Sequence, residues 1–229
     1  KKSKQPVNQE PMDLEAVMKK YDQESNTRVW EGVPKIIVTC FLAAFAIFCI
    51  CVTLFFTWLE EVRLTTFVAF IVACGFVVYP VKKGVQKVNF IPWYDIVAAV
   101  LGTAALLYYT FDAHSIIQQG AHFDWWQIII GIIGILAVAE VCRRSVGLPI
   151  LIVAGCFIVY ALIWGINNPK FGARVEYLTH YLFYSKEGIF STPVNVCSKF
   201  IVVFIIFGAF LERTGIADFF IQFANAIVG

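Results

Sequence analysis

The chain has 229 residues, of which 59% are hydrophobic and only 15% charged, against roughly 45–50% apolar and 25% charged in soluble domains. That balance excludes an ordinary water-soluble globule. A net charge of +2, gathered at the borders of apolar runs, argues against nucleic acid as a partner. The seven cysteines, Cys40, Cys49, Cys51, Cys74, Cys142, Cys156 and Cys197, lie in or beside apolar runs and form no C-x-x-C pair, so they read as small hydrophobes rather than metal or disulfide ligands.

Residues 1–35 are polar and of mixed charge, and Leu14, Val17, Met18 and Tyr21 recur there at helical spacing. They predict a short amphipathic helix, either on the membrane surface with Lys19 and Lys20 toward headgroups or simply solvated. Six apolar runs follow, at 36–59, 62–81, 96–111, 125–141, 148–165 and 194–211. A helix needs roughly 20 residues to cross ~30 Å of hydrocarbon, and the third and fourth runs need their flanking aromatics to do so. Unbroken apolar character favours helices, because lipid forces backbone groups to pair within each segment. A barrel would instead alternate apolar and polar residues. The fold class expected is therefore all-α: a polytopic transmembrane protein of about six spans with interfacial amphipathic helices.

Lys and Arg concentrate in alternate segments. Lys1, Lys2, Lys4, Lys19, Lys20, Arg28 and Lys35 precede the first run, Lys82, Lys83 and Lys87 follow the second, and Arg143 and Arg144 follow the fourth. Between them stands only Arg63, with no Lys or Arg from 112 to 126. By the positive-inside rule the N-terminus is cytoplasmic. The segment 166–192 then lies outside, with Val175, Leu178 and Leu182 on one stripe and Tyr177, Tyr181 and Tyr184 on another, which predicts a helix in the interface. Thr192 is a plausible N-cap and Pro193 the first helical position of the sixth span. Trp58, Trp93, Trp125, Trp126 and Trp164 fall at run ends as an aromatic belt. Ala98, Gly102 and Ala105, and likewise Gly131 and Gly134, form small-residue stripes suited to close helix packing.

Chemistry-bearing residues are few. His114 and His122, near Asp112 and Asp124, could hold a metal, but their spacing is generic and they read more simply as solvated loop residues, so no metal or catalytic site is assigned. Glu140 precedes Arg143 and Arg144 by one helical turn, which allows an ion pair. The simplest role for that group is anchoring and topology setting. Asn195, Ser198 and Lys199 share one face of the sixth span, where Lys199 either snorkels to the interface or belongs to a polar face that meets another helix or a substrate path. Glu212, Arg213 and Gly215 read as an ordinary helix stop.

Two stretches carry a family resemblance: Glu187-Gly188-Ile189-Phe190 with Pro193, and Phe207-Gly208-Ala209-Phe210-Leu211-Glu212-Arg213-Thr214-Gly215. They resemble the start of the large membrane domain of tripartite ATP-independent periplasmic (TRAP) transporter permeases. The lead Lys20-Tyr21-Asp22-Gln23-Glu24-Ser25-Asn26 and the turn Arg143-Arg144-x-x-Gly147 are similar too. The likeness is closest to the TAXI type, in which small and large membrane subunits are one polypeptide. Lys199 and Asn195 stand where that family is expected to have small or uncharged residues, and Ser191 where glycine is usual.

The resemblance implies secondary active uptake of an organic anion such as a carboxylate, delivered by an extracytoplasmic binding protein and driven by sodium through an elevator motion. It implies a bacterial or archaeal cytoplasmic membrane, with lipids and the remainder of the large domain as further partners. It divides the chain into a cytoplasmic lead (1–35), a four-span scaffold (36–142), a connecting span (143–166) and the opening of a transport domain (167–229). A four-span small subunit ends inside while the large one starts outside, so a fusion needs the extra crossing at 148–165. The sodium and substrate sites are expected beyond Gly229, in a longer natural chain. No G-x-x-x-x-G-K-[ST] loop occurs. Two other classes stay open on the residues alone: a non-transporting assembly or sensor protein, and a membrane enzyme acting on lipids or quinones through His114 and His122.

Overall fold

The computed structural model describes residues 27–28, 30–81, 89–119, 124–165 and 170–228. The proposed N-terminal amphipathic helix, the lysines at 82, 83 and 87, and His122 lie outside them. Among the described residues every regular element is helical: α1 (Val33–Leu54), α2 (Glu60–Val78), α3 (Trp93–Gln119), α4 (Trp125–Ser145), α5 (Leu148–Gly165), α6 (Phe171–Thr179), α7 (Thr192–Arg213) and α8 (Ile216–Val228). Six of these, α1 to α5 and α7, are long and apolar enough to cross a membrane. The chain is a polytopic α-helical membrane protein.

Local chemistry sets the helix ends. Asp124 opens α4 with a capping box, its side chain accepting from the Gln127 backbone while Gln127 Oε1 accepts from Asp124 N at 3.0 Å. Gly147 (φ 110°) precedes Leu148 and Pro149 at the head of α5, a conformation that favours glycine. Ser191, rather than Thr192, occupies the N-cap position of α7, which puts Pro193 second in the helix. Gly215 (φ 73°) ends α7 and lets α8 begin one residue later.

Burial is uneven. Over its most apolar window α2 is 56% buried, whereas α5 is 0% and α7 6% buried. The centre is therefore α2 packed on α3 and α4, with Leu64, Phe67, Val72 and Phe76 meeting Leu106, Tyr109, Ala137 and Val141. A Cβ on Gly102 of α3 would lie 2.4 Å from the Ala137 Cβ of α4, so the small-residue stripe does bring those backbones together. On the outer side of α2, Phe41, Phe45 and Phe48 of α1 stack against Phe67 and Phe70, the closest ring centroids 4.8 Å apart.

Two features depart from the sequence-based expectation. The third span runs from Trp93 to Gln119 rather than 96–111, so the expected outward segment 112–126 begins as about two further turns of helix. The expected interfacial helix also does not merely lie flat. After α6 the chain makes a π-helical turn, His180–Tyr184, and Thr179, Phe183 and Tyr184 are driven into the bundle against Gly131 and Gly134 of α4. Gly134 lies about 13 Å along α4 from Trp125 at ~1.5 Å per residue, close to the middle of a ~30 Å hydrocarbon layer. The wider turn takes Tyr184 off the tyrosine stripe. Tyr177 and Tyr181 stay exposed while Tyr184 is buried, its hydroxyl donating to Gln127 O at 2.7 Å.

Candidate functional site: polar clusters at the two ends of the bundle

At one end, Asp95 in the first turn of α3 is fully buried between two arginines. Arg28, ahead of α1, bonds one carboxylate oxygen through Nη2, and Arg144 at the end of α4 bonds the other at 2.8 Å. Arg144 also donates to Glu140 Oε1 (2.8 Å) and to Tyr79 O (3.3 Å), and its guanidinium sits 4.6 Å from the Phe76 ring centroid. Arg143 clasps Glu140 with two bonds of 2.8 and 2.7 Å. Buried charges survive only when paired and hydrogen-bonded, and here one network binds the entry to α1, the end of α2, the start of α3 and the end of α4. Glu140, Arg143 and Arg144 thus meet as their spacing predicts. Asp95 and Arg28, which complete the network, went unassigned, although a carboxylate two residues inside Trp93 on an apolar helix was a usable signal.

At the other end, Glu60 and Arg63 of α2 meet Asn195 of α7. Asn195 Nδ2 donates to Glu60 Oε1, and its Oδ1 accepts from Arg63 Nη2 at 2.6 Å. Glu60 and Arg63 approach to 3.6 Å. Lys186, in the turn before α7, reaches Glu61 at 2.7 Å and Glu60 at 3.7 Å, and the Glu61 hydrogen bond raises its pKa above the ordinary lysine value. The polar face of the sixth span therefore meets another helix, as one of the two sequence readings had it. Lys199, one turn further on, lines a cavity beside this cluster.

Beneath the second cluster the inserted segment locks on itself. Tyr109 OH donates to Tyr184 O at 3.1 Å, and the Phe183 and Phe190 rings lie 5.9 and 5.7 Å from that of Tyr109. Gly188 has no room for a side chain, since a Cβ there would come within 2.3 Å of Leu182 O and 2.4 Å of Tyr181 O. Glu187 accepts from the Tyr181 hydroxyl at 2.9 Å. Gly208, Glu212 and Arg213 are exposed on α7. His114 contacts Gln118 at 2.9 Å, and no group of three or more His, Cys, Asp or Glu able to hold a metal occurs among the described residues.

His180 sits half-buried at the start of the π turn, and burial lowers its pKa below 6.5. The folded chain therefore resists a proton that the unfolded chain accepts. The stabilisation is present above the unfolded value and is lost as pH falls from there toward the lower folded value. The thermal midpoint of the purified protein is expected to fall between pH 7.5 and 5.5 and to fall less in His180→Gln; equal slopes would contradict this.

The fold defines the class, a multi-pass helical membrane protein with an ion-paired bundle centred on α2–α4. Residues 133–229, from the middle of α4 to the end of α8, match the family model described as "Tripartite ATP-independent periplasmic transporter, DctM component". The matched stretch covers less than half of the chain. No curated protein and no solved structure matches the chain.

Proposed function

We propose that this chain forms the front part of a fused TRAP permease that uses a sodium gradient to import an organic anion, such as a carboxylate, across a bacterial or archaeal cytoplasmic membrane. The observation that carries the reading is the family match over residues 133–229, which spans the connecting helix α5 and the resembling stretches Glu187–Pro193 and 207–215. Residues 36–142 act as a scaffold, stiffened by the Asp95 network and by the packing of α2 on α3 and α4. Residues 167–229 belong to the transport domain. A scaffold must stay rigid while its partner moves, and buried ion pairs with close glycine contacts suit that task better than exposed loops.

The test is uptake by proteoliposomes holding the natural chain that contains this sequence. Uptake of a labelled carboxylate should require both an inward sodium gradient and the secreted binding protein. Uptake that persists without either one, or that fails with every binding protein encoded alongside the chain, would overturn the reading.

The N-terminus and the Asp95 end are placed in the cytoplasm, as the lysine and arginine distribution indicates. The binding protein then docks at the Glu60 end, where Lys170, Arg174 and Lys186 lie. Arg174 also donates to Leu162 O and Ile163 O at 3.1 and 3.2 Å, holding the end of α5. Lys170→Glu is expected to slow binding-protein capture about tenfold at low salt, as followed by surface plasmon resonance. An unchanged association rate would count against this docking face.

A further inference from the structure

The Glu60 end holds a cavity of about 470 Å³ between α1, the turn after it, α2 and α7. Its walls include Thr57, Trp58, Glu60, Arg63, Lys199 and Phe200. Arg63 is more than nine-tenths buried, and its Nη1 has no hydrogen-bond acceptor among the described residues. Its partners are a neutral amide oxygen and a carboxylate at 3.6 Å that also faces Lys186. Lys199 contributes a second cation, with no ion pair of its own among the described residues. Positive charge is therefore incompletely neutralised at a place where burial makes that costly. Trp58 and Phe200 are exposed beside it, as are the apolar faces of α1 and α7 between which the cavity opens.

We propose that this cavity binds the phosphate of a membrane phospholipid, with Lys199 and Arg63 holding the oxyanion, the Thr57 hydroxyl available as a further donor, and the acyl chains lying along Phe200 and the α1 face. A phosphate at this depth supplies the anion that the guanidinium and ammonium lack, in charge-assisted bonds stronger than neutral ones. The apolar flanks favour a lipid over a free anion, because a soluble oxyanion would leave Trp58 and Phe200 uncovered. The lipid would tie α1 and α2 to α7. The site does not depend on the transport reading.

The test uses the full natural chain in a neutral detergent. Thermal stability is followed during titration with short-chain phosphatidylglycerol, with diacylglycerol of the same chain length, and with free glycerol phosphate. Phosphatidylglycerol should raise the midpoint saturably, while the other two do little at equal concentration. Lys199→Gln should weaken the apparent affinity about tenfold and Lys199→Arg should retain it. Equal stabilisation by diacylglycerol would show an apolar patch without phosphate recognition, and equal stabilisation by glycerol phosphate would show a soluble-anion site. Either result, or unchanged affinity in Lys199→Gln, overturns the proposal.

Discussion

Asp95→Asn is expected to destabilise the protein by about 3–5 kcal/mol, the usual cost of removing one partner from a buried ion pair. The amide keeps the shape of the carboxylate but leaves Arg28 and Arg144, whose side chains are only 6% and 3% exposed, without the anion they share. Glu140 cannot take over, since it already receives two bonds from Arg143 and one from Arg144. At a few degrees per kcal/mol for a chain of this size, the thermal midpoint in detergent should drop by at least ~6 °C. Glu140→Gln, which alters a partly exposed carboxylate, should cost clearly less. A midpoint for Asp95→Asn within about a degree or two of the parent would mean that the network does not hold the four elements together.

Gly134→Leu is expected to expel the inserted segment from the bundle. Even a Cβ at Gly134 would stand 2.2 Å from Phe183 Cε2 and 2.6 Å from its Cζ. The ring has nowhere to retreat, being packed on Tyr109, Tyr184 and Phe190 with centroids 5.0–5.9 Å away. Overpacking of this kind costs about 1–3 kcal/mol for a methyl-sized intrusion and more for a larger one. Gly134→Ala should therefore lower stability measurably, and Gly134→Leu should open residues 171–190 to protease. Gly155→Ala is the control, because nothing lies within 4 Å of a Cβ there. Pairing Gly134→Ala with Phe183→Leu should recover part of the loss, with a coupling of about 1 kcal/mol or more. Simple additivity, or unchanged protease resistance in Gly134→Leu, would contradict the packing described.

What was legible in the sequence follows from where the governing forces act. The six spans could be read because lipid demands continuous apolar helices, and the Glu140–Arg143–Arg144 group because neighbours three and four apart on a helix must meet. The true start of α3 was hidden, because an aspartate looks like a terminator until its partners are known. Arg28 and Arg144 lie 67 and 49 residues from Asp95 in sequence, and no local pattern links them. The same holds for Arg63 and Asn195, 132 residues apart. The glycines of α4 were readable as a packing surface, but not that their occupant is Phe183 rather than another span. That outcome needed the π turn at His180–Tyr184, which a regular 3.6-residue period cannot anticipate.

The topology behind the proposed function places the two polar clusters in opposite compartments, with α5 returning the chain to the outside. Tags placed after Val146 and at Lys170, on either side of α5, test this directly in intact cells against an impermeant label. The expected result is that the Lys170 tag reacts in intact cells and the Val146 tag only after the membrane is permeabilised. Reaction of both tags from the same side would contradict the fifth crossing, and a reversed pattern would contradict the cytoplasmic placement of the Asp95 end.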